Sequence, residues 1–282
     1  QYGDSPETVW NQSGGNPEAF RVPSRNRSPG CNHRYPDYLA WHKHESITPI
    51  QSNMTEKALS TAEKLTIIAH RPEKGGFLAS QTYIQYGIAG AILLDLALGE
   101  RVSIVDKKLL LKPGKALSSP MLNDVSTMIS QSPNPRKVSY WVGKLASRYS
   151  RYKWQILEGL EDKRILRIER RKFLGLIPYR QSVFMETYTR SSLIRQLKNE
   201  ILSGRGGDGE LNALAGMVKA CSMERILSSD RDELKRIRQQ LKVMVIESPV
   251  SDAVAQTIRQ VQAAIIASVT AAAVASASAG RR

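Results

Sequence analysis

Residues 80–100 read SQTYIQYGIAGAILLDLALGE. From Ile84 to Leu98 the stretch is apolar on nearly all sides of a helix, and Asp95 is its one charge. A helix without a polar face is stable only where it is covered all round. Gly87, Ala89, Gly90 and Ala91 carry little or no side-chain bulk, so neighbouring helices can approach closely. The stretch therefore predicts a buried central helix, and its surroundings should be the elements that cover it. Neither it nor any other run combines strong apolarity with the roughly 20 residues that a transmembrane helix needs.

Upstream, Ser60-Thr61-Ala62-Glu63 has the form of a capping box, followed by a stripe of Leu65, Ile67 and Ile68. That helix should stop before Pro72, because the residue preceding a proline disfavours helix. Downstream, RVSIVDKKLLLK predicts a short hairpin around Asp106-Lys107. Helices are expected over Pro120–Gln131, Val138–Ser147 and Arg148–Lys163. RILRIERRKFLGLIPYRQSVFMET alternates weakly on both sides of Gly175 and predicts a β-hairpin. Further helices fit Ser191–Ser203, Glu210–Ser222, Arg231–Val245 and Ser251–Ala279, and the Ala-rich tail from Ala263 to Ala279 is expected to be closely packed and buried. The fold class is thus mainly α: a single globular helical domain over residues 56–282, a projecting β-hairpin, and an extended N-terminal arm over residues 1–55.

The arm is rich in Gly, Pro, Ser and Asn and has neither helical nor alternating period. Trp10, Phe20, Tyr35, Tyr38 and Trp41 are scattered through it, which suits a segment laid along a partner protein or its own domain. Cys31, His33, His42 and His44 have metal-ligating side chains, but their spacing matches no established motif, and no metal site is expected. The two cysteines of the chain, Cys31 and Cys221, are too few and too distant for a disulfide framework, and a reducing compartment is the expectation. The chain begins at Gln1 rather than Met, which fits a mature form after loss of a targeting peptide, or a trimmed one.

Charge is unevenly spread. Residues 133–200 carry 16 basic and 6 acidic side chains, a net +10 out of +15 for the chain. Such a localised field attracts anionic lipid or nucleic acid. Within it, Arg148, Arg151 and Lys153 lie on an expected helix, and Arg170, Arg171, Lys172 and Arg180 flank the hairpin turn. Phe173, Leu174, Leu176 and Ile177 occupy the tip, an apolar group between cations. Exposed apolar patches of this kind mark insertion into a membrane or into a protein partner. A basic helix followed by a basic hairpin also imitates a winged helix, but DNA-contacting wings present Arg or Lys at the tip, so nucleic acid is the weaker fit. SGRGGDG lacks the ending of a phosphate loop, and no nucleophile–base constellation sits on a core element; neither enzyme activity nor a cofactor is expected.

The order LSTAEKLTIIAH, a Gly-rich link, and YGIAGAILLDLALGERVSI resembles the start of the Golgi phosphoprotein 3 family, and GLEDKRILRIERRKFLGLIP resembles its later helix and hairpin. FLGLIPYR is more similar to bacterial members than to animal ones. The resemblance runs from about Leu59 to Ala279 and leaves out the arm. It implies a mostly helical, non-catalytic domain whose hairpin projects from a basic face. In eukaryotic members that face binds phosphatidylinositol 4-phosphate, the hairpin dips into the membrane, and the protein links Golgi membranes to other proteins. Their lipid pocket uses a tryptophan, an arginine, and two further arginines three residues apart. These fall on Ser80, Ala89, Ser150 and Lys153, so only the last keeps a cation, with Arg151 or Arg148 as possible substitutes for the one lost at Ser150. The resemblance thus implies a peripheral membrane adaptor for anionic lipid, with specific phosphoinositide recognition in doubt. An accessory or linker subunit of a large membrane-associated assembly, for example on the stromal side of a plastid membrane, is the alternative that the arm favours.

Overall fold

Thr61 and Ala62 open the first helix, and both the local sequence and a distant carboxylate fix its start. In the computed structural model, which describes residues 59–72, 75–174, 176–185, 187–204, 209–244 and 252–279, this helix is α1, Thr61–Ala69. The capping box is formed: Ser60 Oγ accepts from Glu63 N at 3.3 Å and Ser60 N donates to Glu63 Oε2 at 2.9 Å. Asp95, from the next helix, accepts from Thr61 N at 2.6 Å and Ala62 N at 3.1 Å. The lone charge in the apolar stretch is thus a tertiary cap that satisfies the free amides of another helix.

That stretch forms α2, Gln81–Leu98, and from Gly87 to Ala97 every residue is buried except Asp95, whose carboxylate is largely covered by the start of α1. Its neighbours include α1, α4 (Val138–Ala146), α7 (Gly209–Ala220) and α9 (Asp252–Ala279). A methyl group at Gly90 would collide with Ile265 and lie 3.0 Å from Val261, so glycine here permits the close crossing of α2 and α9. α3 (Pro120–Ser130) starts with Ser119 as cap and proline in its first turn, and α5 is Tyr149–Asp162. α6 (Tyr188–Ser203) ends at Gly204 with φ +64°, and α8 is Arg231–Met244.

Among the described residues, five strands form two antiparallel sheets. β1 (Val102–Val105) and β2 (Lys108–Leu111) join through Asp106 and Lys107, both at positive φ as a tight two-residue turn requires. β3 (Arg136–Lys137) adds to β2, a pairing too short to leave a periodic signature in the sequence. β4 (Leu166–Phe173) and β5 (Ile177–Phe184) form the second sheet, in register from Leu166↔Phe184 to Phe173↔Ile177.

Two expectations need correction. The helix expected over Ser191–Ser203 starts a turn earlier, at Tyr188, and Ser191 lies within it, its hydroxyl donating back to the Thr187 carbonyl at 2.9 Å. The Ala-rich tail is not buried all round. Val261, Ala264, Ile265 and Val269 are buried, whereas Ile266 and Val274 are exposed. A helix lying on the domain by one face covers positions four apart, and alanine loses little by facing water. No helix among the described residues is long and apolar enough to cross a membrane. The aromatic arm (Trp10, Phe20, Tyr35, Tyr38, Trp41) and Cys31, His33, His42 and His44 lie outside the described residues.

Candidate functional site

Side chains alternate across a strand, so each face of the β4–β5 hairpin has its own character. Leu166, Ile168, Arg170 and Lys172 share one face with Phe184, Ser182, Arg180 and Pro178. Near the hairpin base that face packs onto the domain: Leu166 and Ser182 are buried. Farther out it becomes basic and exposed. The opposite face carries Arg167, Glu169 and Arg171, and Glu169 forms ion pairs with both arginines. At the tip, Leu174, Leu176 and Ile177 are 81%, 83% and 62% exposed. Leu174 also has φ +49°, a backbone conformation that leucine rarely adopts. The Phe173 side chain lies outside the description.

The base is locked. His70, just past the end of α1, bridges to Phe77, and its Nε2 lies 2.6 Å from Ser182 Oγ. Its ring meets those of Phe77 and Phe184 edge-on at 5.9 and 5.0 Å. Burial pushes the imidazole down to about 4, and the nearby Arg190 charge acts in the same direction.

Beside this base lies a cleft of about 420 Å3 between the Gly75-Gly76 link, α5 and β5. Gly75 is at φ +65° and presses on β5; a methyl group there would sit 2.9 Å from Gln181 Cγ and 3.0 Å from the Ser182 carbonyl. Lys153 Nζ lies 4.6 Å from the Trp154 ring centroid, and the Arg180 guanidinium lies 3.9 Å from it. Arg180 Nη1 also donates to Glu158 at 3.0 Å. Burial, and then the neighbouring Arg180 charge, lower the Lys153 ammonium from its ordinary value. Two cations crowded around one indole, one of them partly desolvated, make a place where an anionic group would be stabilised.

Of the seven expected cations, the structure brings Lys153 and Arg180 together in this cleft. Arg170 and Lys172 stand exposed on the same hairpin face as Arg180, with Arg170 directly opposite it. Arg171 lies on the other face, held by Glu169. Arg151 turns to α3 and pairs with Asp124 at 3.2 Å, and Arg148 Nη1 approaches Met128 Sδ at 3.7 Å. Neither lines the cleft; Arg180 supplies its second cation from the hairpin. Ser80 caps α2 without a side-chain hydrogen bond, and Ala89 is buried in the core, so neither position offers a charge. Trp154 and the Gly75-Gly76 link were not among the expected site residues. The adjacent Lys153-Trp154 pair in the basic segment was the available signal, but only the hairpin's return path shows what it faces.

Residues 61–261 match the family described as Golgi phosphoprotein 3 (GPP34). No curated protein matches the chain. The matched span runs from the first residue of α1 into α9 and holds the whole hairpin and both sides of the cleft, so the chain belongs to the Golgi phosphoprotein 3 family.

Proposed function

We propose that this protein is a non-catalytic peripheral membrane adaptor that docks on anionic lipid through the β4–β5 hairpin. One observation carries the reading: Leu174, Leu176 and Ile177 are exposed at the tip of a hairpin whose strands carry Arg170, Lys172 and Arg180. Moving such apolar side chains out of water yields ~1.5–3 kcal/mol each. Each cation held near an anionic surface adds about 1 kcal/mol. These magnitudes support reversible docking. The Lys153–Arg180 cleft takes a phosphate-bearing headgroup at the base while the tip enters the apolar layer. Lysine offers a point charge where a second arginine would offer a fork, and no cation stands at Ser80 or Ala89. Discrimination among phosphoinositides is therefore weak, and surface charge dominates the choice of membrane. Membership of the Golgi phosphoprotein 3 family supports a peripheral role on a Golgi-type membrane.

Flotation with vesicles of phosphatidylcholine and phosphatidylserine tests this. The chain should float with the anionic vesicles, and the double variant Leu174→Asp plus Ile177→Asp should stay in the soluble fraction with an unchanged melting temperature. Undiminished flotation of that variant overturns the reading.

A further inference from the structure

A second group of cations lies apart from the hairpin. Lys108, Arg136, Lys137, Ser139 and Tyr140 line a cleft of about 590 Å3 where β2, β3 and the start of α4 meet. It shares no residue with the Lys153–Arg180 cleft. The β2–β3 register sets Lys108 directly opposite Lys137, on one face of the ladder. Like charges in that relation repel and destabilise the pair. The hairpin's own facing cations, Arg170 and Arg180, are relieved because Glu158 and Trp154 take up Arg180. No such relief exists here: among the described residues, no ion pair involves Lys108, Arg136 or Lys137. Arg136 is instead held 5.4 Å from the ring centroid of the exposed Tyr140, which forms a wall of the cleft. At the start of α4, Val138 N donates to the Lys107 carbonyl at 3.3 Å, and Lys137 at the cap makes no side-chain hydrogen bond to the later first-turn amides, so the helix start adds to the positive field rather than offsets it.

We propose that this cleft is a second anion site, which takes a phosphate monoester. A monoester carries about −1.5 to −2 charges and three acceptor oxygens, so one group can lie between Lys108 and Lys137 and still reach Arg136. A carboxylate, with one charge and two oxygens, leaves the facing lysines largely uncompensated. The monoester arrives either as a soluble metabolite or as the headgroup of a phosphatidic-acid-type lipid; both offer the same chemistry.

The test uses the full chain carrying Lys153→Gln and Arg180→Gln, so that the first cleft does not contribute. Calorimetric titration with glycerol 3-phosphate at fixed ionic strength should show binding. Adding Lys108→Gln and Lys137→Gln should weaken it ~10-fold for each cation removed, while the Lys108→Arg plus Lys137→Arg pair should retain it. Flotation with phosphatidic-acid vesicles of the same variants, each also carrying Leu174→Asp plus Ile177→Asp so that the hairpin tip does not dock, distinguishes the sources. Loss of both signals in the glutamine variant supports a site open to either source, and loss of the vesicle signal alone supports a headgroup site. Binding of both probes unchanged by the glutamine pair, or absent before it is introduced, overturns the proposal. Because the parent lacks the first cleft's cations, and the vesicle arm also lacks the apolar tip, failure here is separate from failure of the hairpin reading.

Discussion

Leu174 shows how a residue can conflict with its local conformation and still serve the molecule. At φ +49° glycine is the comfortable residue, and an exposed leucine there contributes little to the fold. Leu174→Gly relieves left-handed strain of roughly 1–2 kcal/mol, and glycine's flexibility returns about 0.5–1 kcal/mol of that. The melting temperature should therefore hardly move. Vesicle binding should fall on the order of tenfold or more, because one anchoring side chain is lost. A large drop in melting temperature would mean that the tip is part of the fold rather than a docking element. Cys221 presents the opposite case. Its thiol is buried against the α2 crossing and pushed up to about 12 by that burial, which makes it a packing residue rather than a reactive one.

Two buried titrating groups tie elements together, and they respond oppositely to acid. His70 joins the end of α1 to the hairpin base, and burial holds it at about 4 instead of an ordinary 6.5. Its contribution to stability is complete above pH 6.5 and is lost as pH falls toward 4. Asp95 joins α2 to the start of α1, and burial pushes its carboxyl up from 3.8 to about 6, against the hydrogen bonds that favour its charged form. Its contribution is complete below pH 3.8 and is lost as pH rises through 6. Over the same window the two effects oppose each other. The urea midpoint of Asp95→Asn should fall more steeply than the wild type between pH 6.5 and about 5, where other carboxylates still titrate little. The midpoint of His70→Gln should rise over that interval. Parallel curves for all three proteins would show that neither group titrates as its burial requires.

Across the whole molecule, charge acts at longer range than any one contact. Among the cations that give residues 133–200 their +10 are those of the hairpin, the Lys153–Arg180 cleft and the Arg136–Lys137 edge. Exposed charges are screened beyond a Debye length, which shrinks from about 10 Å at 0.1 M salt to about 3 Å at 1 M. Raising sodium chloride across that range should reduce flotation with anionic vesicles several-fold. Leu174→Gly should lose a similar fraction again, since the apolar and electrostatic contributions are separate. Salt-insensitive flotation would assign docking to the tip alone.

Most of the elements, and the family, are legible in short stretches of the chain. An apolar stretch with no polar face, a capping box, turn residues and a Gly-centred alternation are local signals, and they were legible within a residue or two at most boundaries. Charge clustering and the apolar tip were legible for the same reason, since both are contiguous in sequence. What brings distant residues together was not. Asp95 as the cap of α1, Arg180 as the second cation of the cleft, Trp154 between two charges, and Lys108 facing Lys137 all depend on where one element returns against another. That return is set by packing and strand register, which no short window contains. The α9 tail departs from the expectation because composition does not say how many faces of a helix find a neighbour; how much of it is covered depends on which elements pack against it.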